Sequence, residues 1–436
     1  VAVDSSNRVL SCGYTNGNLG STTNSGGADF WVGRINIDTA SAMWQKQMGT
    51  SGDDKCAGVA AVGLSTGYVA AVGSTRGVLV SGITNSDGGM DGVVYMLDAL
   101  TGSTKWSEQI HTDVTDSATA VAAFADGDIV VVGQTTGTLP DCGGCLLAGG
   151  SALGDWFAVR YDGATGAEVW KVQFGSANAP GINMTDADGL NSYEDTATAA
   201  AVDADGNVFV VGYTNGDMIS ALGGYGGRYG SYDPFVCKLD GNSGAAMWCF
   251  QTGTSNDDKA WALALAGGAA DPVVCGQTKG GLFTTCNADD SNGADGPTCA
   301  GDASTSDWFC FRLPGSGSAA PTAATWSVQA GTTADDIARS AAVFSSGDGD
   351  VIVVGDTAGD LYGTNSMSSP ICKQDAWAAE ISASAGEVNV NQQWGSSCID
   401  KAMAVATDGT DAVWVGYSDG GLFTTSSDGT NDFVAK

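Results

Sequence analysis

The sequence predicts an all-β, seven-bladed β-propeller of four-stranded antiparallel blades. Three observations predict it. A strand motif opening with Asp and an aromatic residue recurs seven times, a strand motif ending in Gly before a polar residue recurs seven times, and a Trp-x-x-Gln signature lies between them. The 436 residues include 65 glycines and only 8 prolines, which suits many short strands joined by tight turns. The longest apolar runs, such as Ile129–Val132 and Val351–Val354, are one strand long. A membrane-spanning helix needs roughly 20 apolar residues, so membrane insertion is not expected.

The Asp-aromatic strands open at Asp29-Phe30-Trp31, Asp155-Trp156-Phe157, Asp307-Trp308-Phe309, Asp375-Ala376-Trp377 and Asp432-Phe433, with weaker copies at Asp91 and Asp233. The Trp-Gln strands follow, as Trp44 with Gln47, Trp106 with Gln109, Trp170 with Gln173, Trp248 with Gln251 and Trp326 with Gln329. In a sixth copy Gln393 is present but Val390 holds the Trp position. An Asp then opens an alanine- and valine-rich strand, at Asp54, Asp116, Asp258, Asp336 and Asp400, delayed by an insertion to Asp195 in the third copy. The glycines of the fourth strand type are Gly13, Gly73, Gly133, Gly212, Gly276, Gly355 and Gly416. Asp98–Gly102 and Asp162–Gly166 supply one kind of hairpin turn, and Asp126-Gly127 and Asp205-Gly206-Asn207 the other. Four-stranded units with period-2 patterning and no convincing helix indicate a propeller.

In this reading the blade begins with the Asp-aromatic strand. Val1–Val3 and Arg8–Gly13 are then the last two strands of a blade whose first strand is Asp432–Ala435, and the ring is closed by pairing of the N- and C-terminal segments. One Trp-Gln strand is missing from the count. It is expected just beyond Lys436 or before Val1, in a longer polypeptide of which residues 1–436 form a single propeller domain.

Charge limits the partners. With 49 acidic against 17 basic side chains, the formal net charge is −32. Such a surface repels phosphate backbones and anionic lipids and attracts cations, so nucleic acid is not an expected partner. The 12 cysteines and single histidine argue against a Cys/His zinc site and for disulfides in an oxidising compartment. The expected pairs are Cys142 with Cys145, Cys237 with Cys249 across a hairpin, Cys286 with Cys299, and Cys372 with Cys398. One glycosylation sequon stands at Asn183.

The order of these motifs, best seen from Asp155 through Thr214 with its Asp203-Ala-Asp205-Gly-Asn207-Val-Phe-Val-Val-Gly212 run, resembles the seven-bladed propeller repeats called SBBP. The resemblance spans the chain. It implies the propeller fold and a large secreted or cell-surface protein with an adhesive or scaffolding role.

The expected function is a non-enzymatic extracellular structural or interaction module, a subunit of a surface assembly or filament such as a flagellar hair or cell-wall component. Its partners would be itself or sister domains. The long insertions all fall on the loops opposite the tight hairpins, including 218–232 with Tyr225, Arg228, Tyr229 and Tyr232, which are read as an interaction face. A lectin-like propeller binding glycans or proteins is the alternative. The Asp98…Trp106 and Asp162…Trp170 stretches are similar to the tryptophan-docking motifs of quinoprotein dehydrogenases, but those propellers have eight blades and many carry adjacent cysteines. No catalytic residue is assigned. Asp186, Asp188, Asn191, Glu194 and Asp195 alternate around a glycine as Ca²⁺ ligands do, which makes calcium the one candidate cofactor. His111, at a position that is Gly in other copies, is read as an irregular repeat residue.

Overall fold

The fold is a seven-bladed β-propeller. The computed structural model describes residues 1–39, 41–63, 67–80, 89–142, 154–176, 193–267, 270–282, 305–345, 349–363, 374–396, 398–419 and 431–436. They form seven antiparallel sheets. The chain divides into two compact units, residues 1–227 with 236–249, and residues 228–235 with 250–436.

In the first unit, one sheet joins Ala2–Val3, Val9–Thr15, Asp29–Asn36 and Ser41–Met48. The next joins Asp54–Val62, Tyr68–Thr75, Asp91–Asp98 and Thr104–Ile110. A third joins Asp116–Ala123, Ile129–Thr135, Asp155–Tyr161 and Glu168–Phe174. Asp195–Val202 and Val208–Thr214 begin the fourth. The second unit holds Asp258–Ala266, Asp271–Thr278, Asp307–Arg312 and Trp326–Ala330, then Asp336–Val343, Val351–Thr357, Asp375–Ile381 and Val388–Trp394. Its last sheet has Asp400–Thr407, Ala412–Ser418 and Asn431–Ala435.

This order corrects the phase of the blade. The sheets run from the alanine-rich strand to the Trp-Gln strand, save the last, which among the described residues ends at the Asp-aromatic strand Asn431–Ala435, so the chain changes blade between Trp-Gln and alanine-rich strands. The termini accordingly do not share a blade. Val9–Thr15 pairs with Asp29–Asn36, and Asn431–Ala435 pairs with Ala412–Ser418. A repeat has no intrinsic starting point in sequence. Only the hydrogen-bond register shows that each Gly strand continues into the following Asp-aromatic strand.

That register also explains the repeated glycine. Between Asp116–Ala123 and Ile129–Thr135 the pairing slips at Gly133, a β-bulge in which the alanine-rich strand carries the extra residue. A Cβ on Gly133 would lie 2.0 Å from Ser117 O. The same slip recurs beside Cys56, Ala197, Ala260, Ala338 and Ala402.

Opposite the glycine stands the third residue of the Asp-aromatic strand, in the pairs Gly13 with Trp31, Gly133 with Phe157, Gly276 with Phe309 and Gly355 with Trp377. Trp156, Trp308, Trp377, Phe157 and Phe309 are fully buried. Burial of each large apolar side chain contributes roughly 1.5–3 kcal/mol. The central strands, such as Ile129–Val132, are buried on both faces, which explains their unbroken apolar runs. A short helix, Met218–Leu222, departs from the helix-free reading. Asp217 caps it by accepting from Ser220 N.

Candidate functional site

The repeated polar residues converge at one end of each blade. In six copies the Gln of the Trp-Gln strand donates through Nε2 to the Asp that opens the neighbouring strand. The distances are 2.8 Å for Gln47 to Asp29, 2.6 Å for Gln109 to Asp91, 2.9 Å for Gln173 to Asp155, and 3.0 Å for Gln251 to Asp233, Gln329 to Asp307 and Gln393 to Asp375. The same amide ties in the loop after the Gly strand. Gln173, for example, donates to Gly137 O at 2.8 Å and accepts from Leu139 N at 2.9 Å.

A second buried Asp, opening the alanine-rich strand of the next blade, lies beside each of several of these carboxyls. Asp195 accepts from Ser176 N at 2.7 Å and from the Thr214 hydroxyl. Asp116 accepts from the backbone and hydroxyl of Thr112. Burial pushes these carboxyls up, to about 6 for Asp116 and Asp336 and about 7 for Asp195 and Asp233, with Asp91, Asp307, Asp155 and Asp258 respectively adding repulsion. The hydroxyl and amide donors pull the other way and only partly offset burial.

Four of the five motif tryptophans dock on the following blade, whereas the buried Trp248 Nε1 has no hydrogen-bond partner among the described residues. Trp44 Nε1 donates to Ala99 O at 2.8 Å, Trp106 to Gly163 O at 3.0 Å, Trp170 to Gly241 O at 2.7 Å and Trp326 to Ala383 O at 2.8 Å. Each acceptor lies in the hairpin of the following blade. Arg160 adds a bond to Gly241 O at 2.8 Å while ion-pairing with Asp126 and Asp128.

Three disulfides have both ends among the described residues. Cys237–Cys249 joins the two strands of one hairpin, Cys275–Cys310 joins directly opposed residues, and Cys12–Cys56 links one blade to the next. Cys142 and Cys398 are also disulfide-bonded. Cys145, Cys286, Cys299 and Cys372 lie outside the described residues, as do Asn183, Asp186, Asp188 and Asn191. Of the proposed calcium ligands, Glu194 accepts from Tyr213 Oη at 3.4 Å and Asp195 is the blade-end carboxyl described above. Among the described residues no group of three or more His, Cys, Asp or Glu side chains is placed to hold a metal.

On the proposed interaction face, Tyr225 and Tyr229 are 46% and 51% exposed. Arg228 is half-buried, with Nε donating to Gly230 O at 3.1 Å, and Lys259 Nζ sits 3.9 Å above the Tyr232 ring.

One concavity escaped the sequence reading. A cavity of about 270 Å³ lies against the edge strands Thr104–Ile110 and Glu168–Phe174, lined by Glu108, His111, Leu139, Tyr161, Glu168 and Lys171 among others. The sole histidine is exposed there, with Nδ1 3.3 Å from Gln109 O. Glu108 is half-buried and Glu168 exposed on their strands, and no motif marks them.

No protein-family model matches the chain, and no curated protein matches it. Solved structures to which it is similar include the WD40 β-propeller domain of Doa1 (TM-score 0.45, 10% identity, 100% of this chain and 91% of that one). Others are the Pan2 WD40 domain of Neurospora crassa (TM-score 0.43, 10% identity, 89% and 81%) and the quinohemoprotein alcohol dehydrogenase of Comamonas testosteroni (TM-score 0.39, 11% identity, 94% and 72%). At these identities they say nothing of activity.

Proposed function

We propose that this chain is a non-catalytic extracellular interaction module, with repeats of the SBBP kind, that assembles with copies of itself or sister domains into a surface structure. The observation that carries the reading is the Cys12–Cys56 bond between blades, because disulfides persist in oxidising, extracellular compartments. A second support is the use made of the repeated Asp, Gln and Trp. Six copies hold the same Gln–Asp bond and four the same Trp bond to the next blade, which is what a structural repeat requires. The contacts with partners fall to the loop face, where Tyr225 and Tyr229 present amphipathic rings to solvent.

Sedimentation velocity of the unreduced chain over a concentration series, with and without a calcium chelator, tests this reading. Reversible association weakened by Tyr225→Ser or Tyr229→Ser is expected, and a monomer at every concentration would overturn self-assembly. Exposed tyrosines also favour a glycan-binding reading, for which saturable signals on a glycan array would be the evidence.

A further inference from the structure

The cavity beside Glu108 is built to receive a positive charge. Lys171 Nζ is 2.9 Å from Glu168 Oε2, while Glu108 has no ion-pair or hydrogen-bond partner for its carboxyl among the described residues. Burial and the proximity of Glu168 raise the Glu108 carboxyl above its ordinary value, as expected for an acid lacking a countercharge. Tyr161 lines the same space with only 6% of its surface exposed. Its hydroxyl has no hydrogen-bond partner among the described residues and is not sealed off from solvent-accessible space. Burial and the two glutamates push the phenol up, so at neutral pH it is an intact hydroxyl.

The rest of the lining sets the size and character of the guest. Ile110, Leu139, Pro140 and Val159 give the cavity apolar wall, suited to an alkyl stem. A volume of about 270 Å³ falls just below the roughly 300–1,000 Å³ of pockets for drug-sized ligands and is far larger than a bare metal ion. An alkylammonium head has three N–H donors and no acceptor, matching the oxygens of Glu108, Glu168 and Tyr161. The net charge of −32 would concentrate such cations at the surface.

We propose that this cavity binds a primary alkylammonium group, carried by a free amine or by a lysine side chain of a partner, through Glu108, Glu168 and Tyr161. The proposal is independent of whether the chain self-assembles.

The test is titration of the full, unreduced chain with n-butylammonium chloride and with Nα-acetyl-lysine methylamide, followed by amide chemical shifts and calorimetry. Potassium chloride at matched ionic strength is the control. Saturable shifts confined to the segments around Glu108–His111 and Ala167–Lys171 are expected, weakened at least tenfold in Glu108→Gln and several-fold in Tyr161→Phe, and unchanged in Glu387→Gln. Comparable binding of both probes supports recognition of a partner lysine. Binding of butylammonium alone supports a free amine. Absence of saturable shifts in the wild-type chain, the same shifts with potassium, or undiminished binding in folded Glu108→Gln and Tyr161→Phe would each overturn the proposal.

Discussion

Trp170 Nε1 donates to Gly241 O across 2.7 Å, and the indole of Trp170 lies against Gly244 in the same hairpin, where a Cβ would stand 2.7 Å from the ring. One residue thus couples two neighbouring blades by a hydrogen bond and by close packing. Trp170→Ala is expected to cost about 3–5 kcal/mol, the range for removing a large buried aromatic. Trp170→Phe keeps most of the packing and loses the N–H donor, for about 1 kcal/mol, since Arg160 still donates to Gly241 O. Gly244→Ala adds a clash at a φ of +71°, and should cost at least 1–2 kcal/mol. Denaturant unfolding of the three variants checks the order.

Gln173 serves three partners from a fully buried position: Asp155 Oδ2, Gly137 O and Leu139 N. Gln173→Leu strands all three and is expected to destabilise by at least about 2 kcal/mol, because buried polar groups left unpaired bear their full desolvation cost. Gln173→Glu should be worse at neutral pH, since it sets a second carboxylate against Asp155. A thermal melt at neutral and at mildly acidic pH distinguishes the two, with only the Glu variant closing its gap to the unsubstituted chain in acid.

The buried carboxyls predict an unusual pH response. Asp116 and Asp336 are raised to about 6, and Asp195 and Asp233 to about 7, whereas an unfolded Asp titrates near about 3.9. Between these values the folded chain binds more protons than the unfolded one, so stability falls as pH rises. Each two-unit rise corresponds to roughly 3 kcal/mol, lost progressively between about pH 4 and pH 7 and not recovered above it. Asp408, held down to about 2 by backbone donors from Asp411 and Thr410, acts oppositely, and its contribution disappears as pH falls toward 2. The melting temperature is therefore expected to rise on acidification from pH 8 to pH 5. A profile that is flat or falls over that range would contradict the assignment.

Cys12 and Cys56 are 44 residues apart, and closing a loop of that length stabilises a fold by about 4 kcal/mol in the chain-entropy account. Cys12→Ala with Cys56→Ala should lower the denaturation midpoint accordingly. The Cys237–Cys249 loop spans 12 residues, and its loss should cost about 3 kcal/mol on the same basis.

The elements were legible in the sequence because Asp, Gly, Trp and Gln each hold a fixed place in the repeat. Gly133 is there for a bulge, Gln173 for Asp155 and Trp170 for the next hairpin. Blade phase was not legible, since every strand type follows the previous one in an unbroken cycle and only pairing such as Gly133 with Phe157 fixes where a sheet begins. The same register would have revealed Cys275–Cys310. Cys275 precedes the repeat glycine and Cys310 follows the aromatic residue opposite it, so the two must face each other. Cys12–Cys56 joins different sheets, and no strand pairing announces it. The Glu108 cavity was invisible for a further reason: Glu108 and Glu168 come from separate edge strands and lie outside the repeated Asp, Gly, Trp and Gln positions.

The most direct test of the proposed role is negative-stain electron microscopy of the native, unreduced protein with and without a calcium chelator. Filaments or sheets repeating at about the diameter of one propeller are the expected result, and their loss on chelation would add a metal-dependent joint. Dispersed single particles in both conditions would contradict the assembly account.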